Sequence, residues 1–309
     1  MNYIIKKYQS TDYNIWNSFI SKAKNSTFLF HRDFMDYHSD RFYDHSLMVY
    51  SKNNLVAVLP ANEKNRVLYS HQGLTYGGLL LLKSMGVIKI EAIFLAIVHY
   101  LKNKKFKAFE LKSLPLFYHK IPSFELEPLL HKLGAQLTRR EQNLAIDYST
   151  SVKIHKTKLK HYKKNLNLGF KIQETTSFHL FWGQILEPRL AEKHKTKPVH
   201  SIHEITLLKK KFPENIVQYN IYLYDEILAG ITIFKTNNVV KSQYGATSKN
   251  GEKYRALDFL FIHLIEKFKE EGYRYFDMGT VVGNMSLLKQ KEELGCNQYL
   301  QDYYCLELH

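Results

Sequence analysis

One succession of residues occurs twice in this chain, and a repeat constrains a fold more tightly than composition does. From Leu55 the sequence runs LVAVLPANEKNRVLYSHQGLTYGG, followed by an amphipathic stretch from Val87 to Lys102 and then FKAFELK from Phe106. From Ile227 it runs ILAGITIFKTNNVVKSQYGATSKNG, followed by an amphipathic stretch from Tyr254 to Glu270 and then YRYFDMG from Tyr273. Each copy spells two alternating strands joined by a short polar turn, at Glu63 to Arg66 and at Thr236 to Asn238. The following stretches place apolar residues at the three-and-four spacing of one buried helix face. These are Ile90, Ile93, Phe94, Ile97, Val98 and Leu101 in the first copy, and Leu257, Leu260, Phe261, Leu264, Ile265 and Phe268 in the second. Gly272 stands where a left-handed C-terminal cap belongs. A hairpin, a helix and a further strand, twice over, predict an α/β fold with a mixed α+β sheet in each of two tandem domains.

The copies are separated by a segment of different character. Residues 153–164, KIHKTKLKHYKK, hold six lysines and two histidines. A helix is expected there, ending near Gly169, with Lys153, Lys156, Lys160, Lys163 and Lys164 roughly on one side. Further helices are expected over 178–193 and 202–211. We place the domain boundary after the strand LAIDYS, giving domains 1–150 and 151–309. A chain of 309 residues is long enough for both.

The formal charge is +15 and is shared by the two halves, so it is no basic tail. Such a field favours anionic partners: nucleic acid, a phosphorylated small molecule such as CoA or a nucleotide-sugar, or an anionic membrane surface met peripherally. Two cysteines, Cys296 and Cys305, match no metal motif, and the histidine-rich stretches lack the convergent spacing of a zinc site. No metal is expected. The N-terminus lacks the apolar core of a signal peptide, and no stretch reaches the length of a membrane span, so a cytoplasmic setting is expected. Walker loops, dinucleotide fingerprints and serine-nucleophile elbows are absent from the sequence.

The basic helix ending in a Gly turn, Tyr244 before a Gly-containing loop, and YRYFDMG before a Lys-x-x-Leu-Gly segment resemble the FemAB-like peptidyltransferases and their relatives with a BioF2-like acetyltransferase domain. That resemblance implies a tandem GNAT-like fold and transfer of an acyl or aminoacyl group to an amine. In FemAB-like proteins the donor is an aminoacyl-tRNA and the acceptor a cell-wall precursor; in the broader group the donor is an acyl-CoA. The family's late Phe-Lys-x-x-Phe-Gly pattern falls on Lys291, with Gln290 and Leu294 replacing its phenylalanines. GNAT enzymes hold the CoA pyrophosphate at a helix start, where unpaired N–H groups and the dipole favour an anion. The corresponding stretch here is 248–256, which offers Gly251, Lys253 and Arg255 but lacks the full Gly-rich loop.

Direct acyl transfer needs a held carbonyl, a neutral amine and a proton acceptor. Asp277 ends a strand read as buried, where a carboxylate is costly unless used or paired. Tyr244 can donate to a leaving thiolate or ribose oxygen, and Lys291 can stabilise an oxyanion. His71, beside a Gly-rich turn, and Lys156 and Lys160, on the basic helix, are the substrate-binding candidates. The leading functional expectation is an N-acyltransferase that uses acyl-CoA as co-substrate, with no permanently bound cofactor. Its acceptor would be an amine of a phosphorylated or nucleotide-linked small molecule, an amino sugar among the candidates. A tRNA-dependent aminoacyltransferase acting on a cell-wall precursor is the alternative, and a non-catalytic RNA- or membrane-binding module the third. Both enzyme readings suit envelope or polysaccharide biosynthesis.

Overall fold

The second copy of the repeat builds the longer strands. Glu226–Thr236 and Val239–Thr247 form the antiparallel hairpin, turning at Asn237 and Asn238 as their polar pair implies. The helix Ala256–Glu270 follows, and Tyr275–Val281 returns parallel to the second hairpin strand. The helix buries Phe259, Leu260, Ile262, Leu264, Ile265 and Phe268, while Leu257 and Phe261 of the expected stripe are partly buried at its edge. Each fully buried side chain of this kind contributes roughly 1.5–3 kcal/mol relative to exposure. Gly272 ends the helix at φ +81°, and Gly169 ends the basic helix region at φ +79°, both in the left-handed region that glycine enters without cost.

The computed structural model describes residues 2–83, 85–121 and 124–309, leaving aside the side chain of His194. It comprises two compact units, residues 142–299 and residues 1–141 with 300–309. The chain thus passes between units at Glu141/Gln142, and its last ten residues belong with the first unit. A single boundary near residue 150 does not describe that arrangement.

Within the C-terminal unit the strand order is Phe170–Thr175, Ile216–Leu223, Glu226–Thr236, Val239–Thr247, Tyr275–Val281, and finally residues 142–147. Its core gathers Ile221, Ile231, Ile233, Leu260 and Phe276. The N-terminal unit repeats the order with one break. Tyr3–Lys7, Leu47–Ser51 and Asn54–Leu59 pair in one sheet, whereas Asn62–Lys64, Val67–Tyr69 and Ala108–Lys112 pair in another. The strand read as continuous from Leu55 changes sheets at Pro60, which has no N–H to donate to a ladder. The C-terminal residues Tyr303–Glu307 complete this unit, antiparallel to Ala108–Lys112. Helix Val87–Asn103 buries the six residues the periodicity selected.

The intervening segment is helical where the sequence suggested, with one departure. The expected helix over 178–193 is interrupted by a π-helical stretch, Trp182–Leu186, between His179–Phe181 and Glu187–His194. Such wide turns are uncommon and concentrate at functional sites. Among the described residues no helix is long and apolar enough to cross a membrane.

Candidate active site

The parallel pairing of Val239–Thr247 with Tyr275–Val281 is short. It joins Val239 to Tyr275, Val240 to Phe276 and Lys241 to Asp277, and stops there while both strands continue. An opening in a parallel sheet is where α/β proteins place ligands. At its apex Asp277 is fully buried, and its Oδ2 accepts from Lys241 Nζ at 3.0 Å. Its Oδ1 accepts from the Gly279 N–H at 2.6 Å. Gly279 sits at φ +80° in a bulge opposite Ala145 and Asn143, a conformation that requires glycine. A Cβ at Gly279 would lie 3.4 Å from Lys241 Nζ and 4.0 Å from Lys291 Nζ, so both ammonium groups converge on the bulge.

Lys291, on helix Met285–Glu292, donates to the carbonyls of Gly279 at 3.1 Å and Thr280 at 3.4 Å. Burial, reinforced by the like charge of Lys241 and opposed by Asp277, brings its pKa down to about 8. Asp277 and Lys291 therefore meet at one place. Lys241 completes the cluster and was missed in the sequence, although a lysine directly after Val239-Val240 on a central strand was signal enough.

Tyr244 joins through a bulge. Thr232 pairs with Tyr244 and Ile233 with Ser242, so Gln243 is the extra residue. Without it Tyr244 and Lys241, an odd distance apart, would face opposite sides of the sheet. With it they share a face. Trp182 packs edge-on against Tyr244, with ring centroids 4.9 Å apart, and donates its indole N–H to Thr232 Oγ1 at 3.1 Å. Gly230 allows this approach, since a Cβ there would collide with the Phe181 ring at 2.4 Å. The Tyr244 hydroxyl lies 2.6 Å from His200 Nδ1 and accepts weakly from the His200 N–H at 3.4 Å. Burial pushes Tyr244 up to about 12, so the phenol keeps its proton near neutrality.

The expected pyrophosphate loop is arranged differently from a phosphate cradle. The Gly251 N–H is taken by Ser248 Oγ at 3.0 Å. A Cβ at Gly251 would strike the Leu228 carbonyl oxygen at 2.2 Å, so this glycine serves packing against the strand. Glu252 stands in the first turn of Lys249–Lys253, held by Arg189 and Lys193, and Asp258 stands in the first turn of Ala256–Glu270, held by Lys158 at 2.9 Å. Lys253 and Arg255 are exposed, and Arg255 at φ +52° separates the two helices.

On the basic helix, Lys156–Asn165, Lys156, Lys160, Lys163 and Lys164 are exposed, as is Lys153 just before it, whereas Lys158 is buried against Asp258. Arg255, Lys160 and Lys164 all lie close enough to His161 to help lower its pKa, after its desolvation, so they form one basic patch. His71 lies in the N-terminal unit, buried, with no hydrogen bond to its Nδ1.

Residues 194–287 match the family model of the acetyltransferase (GNAT) domain, a span that contains Tyr244, Lys241 and Asp277. The chain contains a GNAT domain. Among solved structures, FemX aligns at TM-score 0.70 and 10% identity, over 100% of this chain and 98% of that one. L-PGS from Bacillus licheniformis aligns at TM-score 0.65 and 13% identity, over 98% and 92%. A tandem GNAT protein from the clavulanic acid biosynthesis pathway aligns at TM-score 0.56 and 11% identity, over 100% and 99%. No curated protein matches this chain in sequence. At 10–13% identity these likenesses are of fold.

Proposed function

We propose that the C-terminal unit transfers an acyl group to the amine of an anionic small molecule at the strand opening formed by Lys241, Asp277 and Lys291. The observation that carries this reading is the convergence of a buried lysine, Lys241, and a half-buried one, Lys291, on the Gly279 bulge beside one buried carboxylate. An amine nitrogen attacks the donor carbonyl, and the carbonyl π pair moves onto oxygen. Lys291, two of its protons engaged by backbone carbonyls, directs the third to that oxyanion, an effect worth roughly 3–4 kcal/mol for one good donor. Collapse of the intermediate breaks the carbonyl bond to the leaving oxygen or sulfur, which takes a proton from Tyr244; the amine's excess proton passes to solvent, and Tyr244 regains one from solvent to close the cycle. Asp277 has both oxygens engaged and acts by holding Lys241 and the bulge in place.

Two donors suit this chemistry. Acyl-CoA is the co-substrate of the GNAT class, and Lys253 and Arg255 are the cations available to its phosphates. A specific observation favours the second donor, an aminoacyl ester carried on tRNA. Ser248 already satisfies Gly251, carboxylates occupy both helix starts, and the patch of Lys160, Lys164 and Arg255 extends toward a longer polyanion. Lys156 belongs to the same helix surface. With acyl-CoA the acceptor we propose is an amino sugar, and with tRNA a cell-wall precursor. Thermal shift with acetyl-CoA and with tRNA separates the donors, because a ligand of the native state raises the apparent melting temperature. Stabilisation by acetyl-CoA alone would overturn the tRNA reading; no shift with either, and no turnover, would overturn the transfer reading.

A further inference from the structure

The N-terminal unit contains a cavity of about 400 Å³ at its own parallel split, where the pairing of Val67–Tyr69 with Ala108–Glu110 ends. His71, Gln72, Glu110, Lys112, Arg139 and Tyr303 are among the residues that line it. We infer that this cavity is a second binding site, for a small hydroxylated anion, with its charged group on Arg139 and Lys112 and its hydroxyl groups on His71, Gln72 and Glu110.

The walls are fixed before any ligand arrives. Ser70 donates its N–H to the Glu110 carbonyl at 2.8 Å and its Oγ accepts from the Lys112 N–H at 2.8 Å, tying the two sides of the split together. Asn62 holds Gln72 twice, donating to Oε1 at 2.9 Å and accepting from its N–H at 2.7 Å. Between these clamps His71 is forced to φ +69°. A non-glycine residue in that region costs about 1–2 kcal/mol and persists only where its surroundings dictate it. His71, one of the lining residues, is 3% exposed; its ring packs against His38 and Phe42, and its Nδ1 is buried with no partner. Burial, with His38 and Arg32 adding to it, takes its pKa down to about 3, so the ring stays neutral and offers hydrogen bonding without charge.

The positive side is also prearranged. The Arg139 guanidinium lies 3.9 Å from the Tyr303 ring centroid and the Lys112 ammonium 5.6 Å from the same ring. Glu141 anchors both members, meeting Arg139 at 3.3 Å and accepting the Tyr303 hydroxyl at 2.8 Å. A cation stacked on an aromatic ring keeps its outward N–H groups in a fixed direction, which suits a phosphate or carboxylate. The volume and the run of neutral polar groups suit a molecule the size of one sugar.

Titration calorimetry of the full chain with glucosamine 6-phosphate, gluconate and inorganic phosphate tests this without any transfer activity, so its failure leaves the transfer reading intact. We expect saturable binding of glucosamine 6-phosphate or gluconate, the tighter one identifying the anion as phosphate or carboxylate. His71→Gly and Arg139→Gln should each weaken it tenfold or more. Glycine accepts φ +69°, so His71→Gly keeps the loop but loses the buried ring's packing, whereas Arg139→Gln, a surface change, reads the affinity with the melting temperature held. No binding of either hydroxylated anion, equal binding of inorganic phosphate, or unchanged affinity in both variants would overturn the proposal.

Discussion

The two units share one frame and differ in the charge at its split. Each has a parallel pairing of three residue pairs followed by a split. In the C-terminal unit the last pair is Lys241 with Asp277, buried and ion-paired, with Lys291 converging on the same bulge. In the N-terminal unit the corresponding pair is Tyr69 with Glu110, an exposed carboxylate at the rim of a cavity. Buried charge stores electrostatic energy that can act on a developing oxyanion, because water does not screen it. An exposed carboxylate beside an open cavity cannot, and suits recognition. Duplicated architecture therefore does not imply duplicated chemistry.

The largest effect expected is at Lys291. Lys291→Ala should lower turnover on the order of a hundredfold or more, measured with whichever donor proves active. Lys291→Met gives the sharper result because its stability change has a definite sign. A lysine whose folded pKa is lowered to about 8 binds fewer protons folded than unfolded between pH 8 and its ordinary 10.5, so wild-type stability rises with pH across that window. Below pH 8 the buried charge is a full penalty, of order 3 kcal/mol at most before the lost hydrogen bonds are counted. The methionine variant should melt no lower than wild type at pH 7 and lose the alkaline rise. Normal turnover in either variant would remove Lys291 from the mechanism.

Asp277 and Glu110 form the direct contrast. Asp277→Asn leaves Lys241 buried without its counter-ion and should cost about 3 kcal/mol or more by urea unfolding. Glu110→Gln should stay within about 0.5 kcal/mol, as surface changes do. Equal losses would mean that the two splits carry charge alike.

The basic patch gives a smaller, salt-dependent effect. Replacing Lys156, Lys160 and Lys163 with Glu should weaken tRNA binding and flatten its dependence on salt concentration, since each lost phosphate contact removes about 0.7–0.9 of a unit from the logarithmic slope. An unchanged slope would return the helix to an ordinary solvated face and favour the acyl-CoA donor.

The smallest effect concerns His71 and acid. Its folded pKa of about 3 lies below the ordinary 6.5, so the unfolded state binds the extra proton between those values and wild-type stability falls as pH drops through that window. His71→Gly should flatten the acid limb of melting temperature against pH. An unaltered limb would show that His71 is accessible to protons in the folded state.

Most of the local structure was legible because it depends on local periodicity. The helix Val87–Asn103, both hairpin turns, and the caps at Gly169 and Gly272 follow from residue spacing and from glycine's freedom at positive φ. Asp277 and Lys291 could be singled out because a carboxylate on a buried strand and a lysine in a family pattern are visible in one dimension. Other features depend on register between distant segments. The sequence does not say that residues 142–147 complete the C-terminal unit while Tyr303–Glu307 complete the N-terminal one, since every strand edge offers the same N–H and C=O groups. Nor does it say that Gln243 bulges out to bring Tyr244 onto the face of Lys241, or that His200 reaches the Tyr244 hydroxyl. Periodicity thus determined which residues form each strand and helix; tertiary packing decided which side chains meet, because one inserted residue in a ladder reverses the face of everything beyond it.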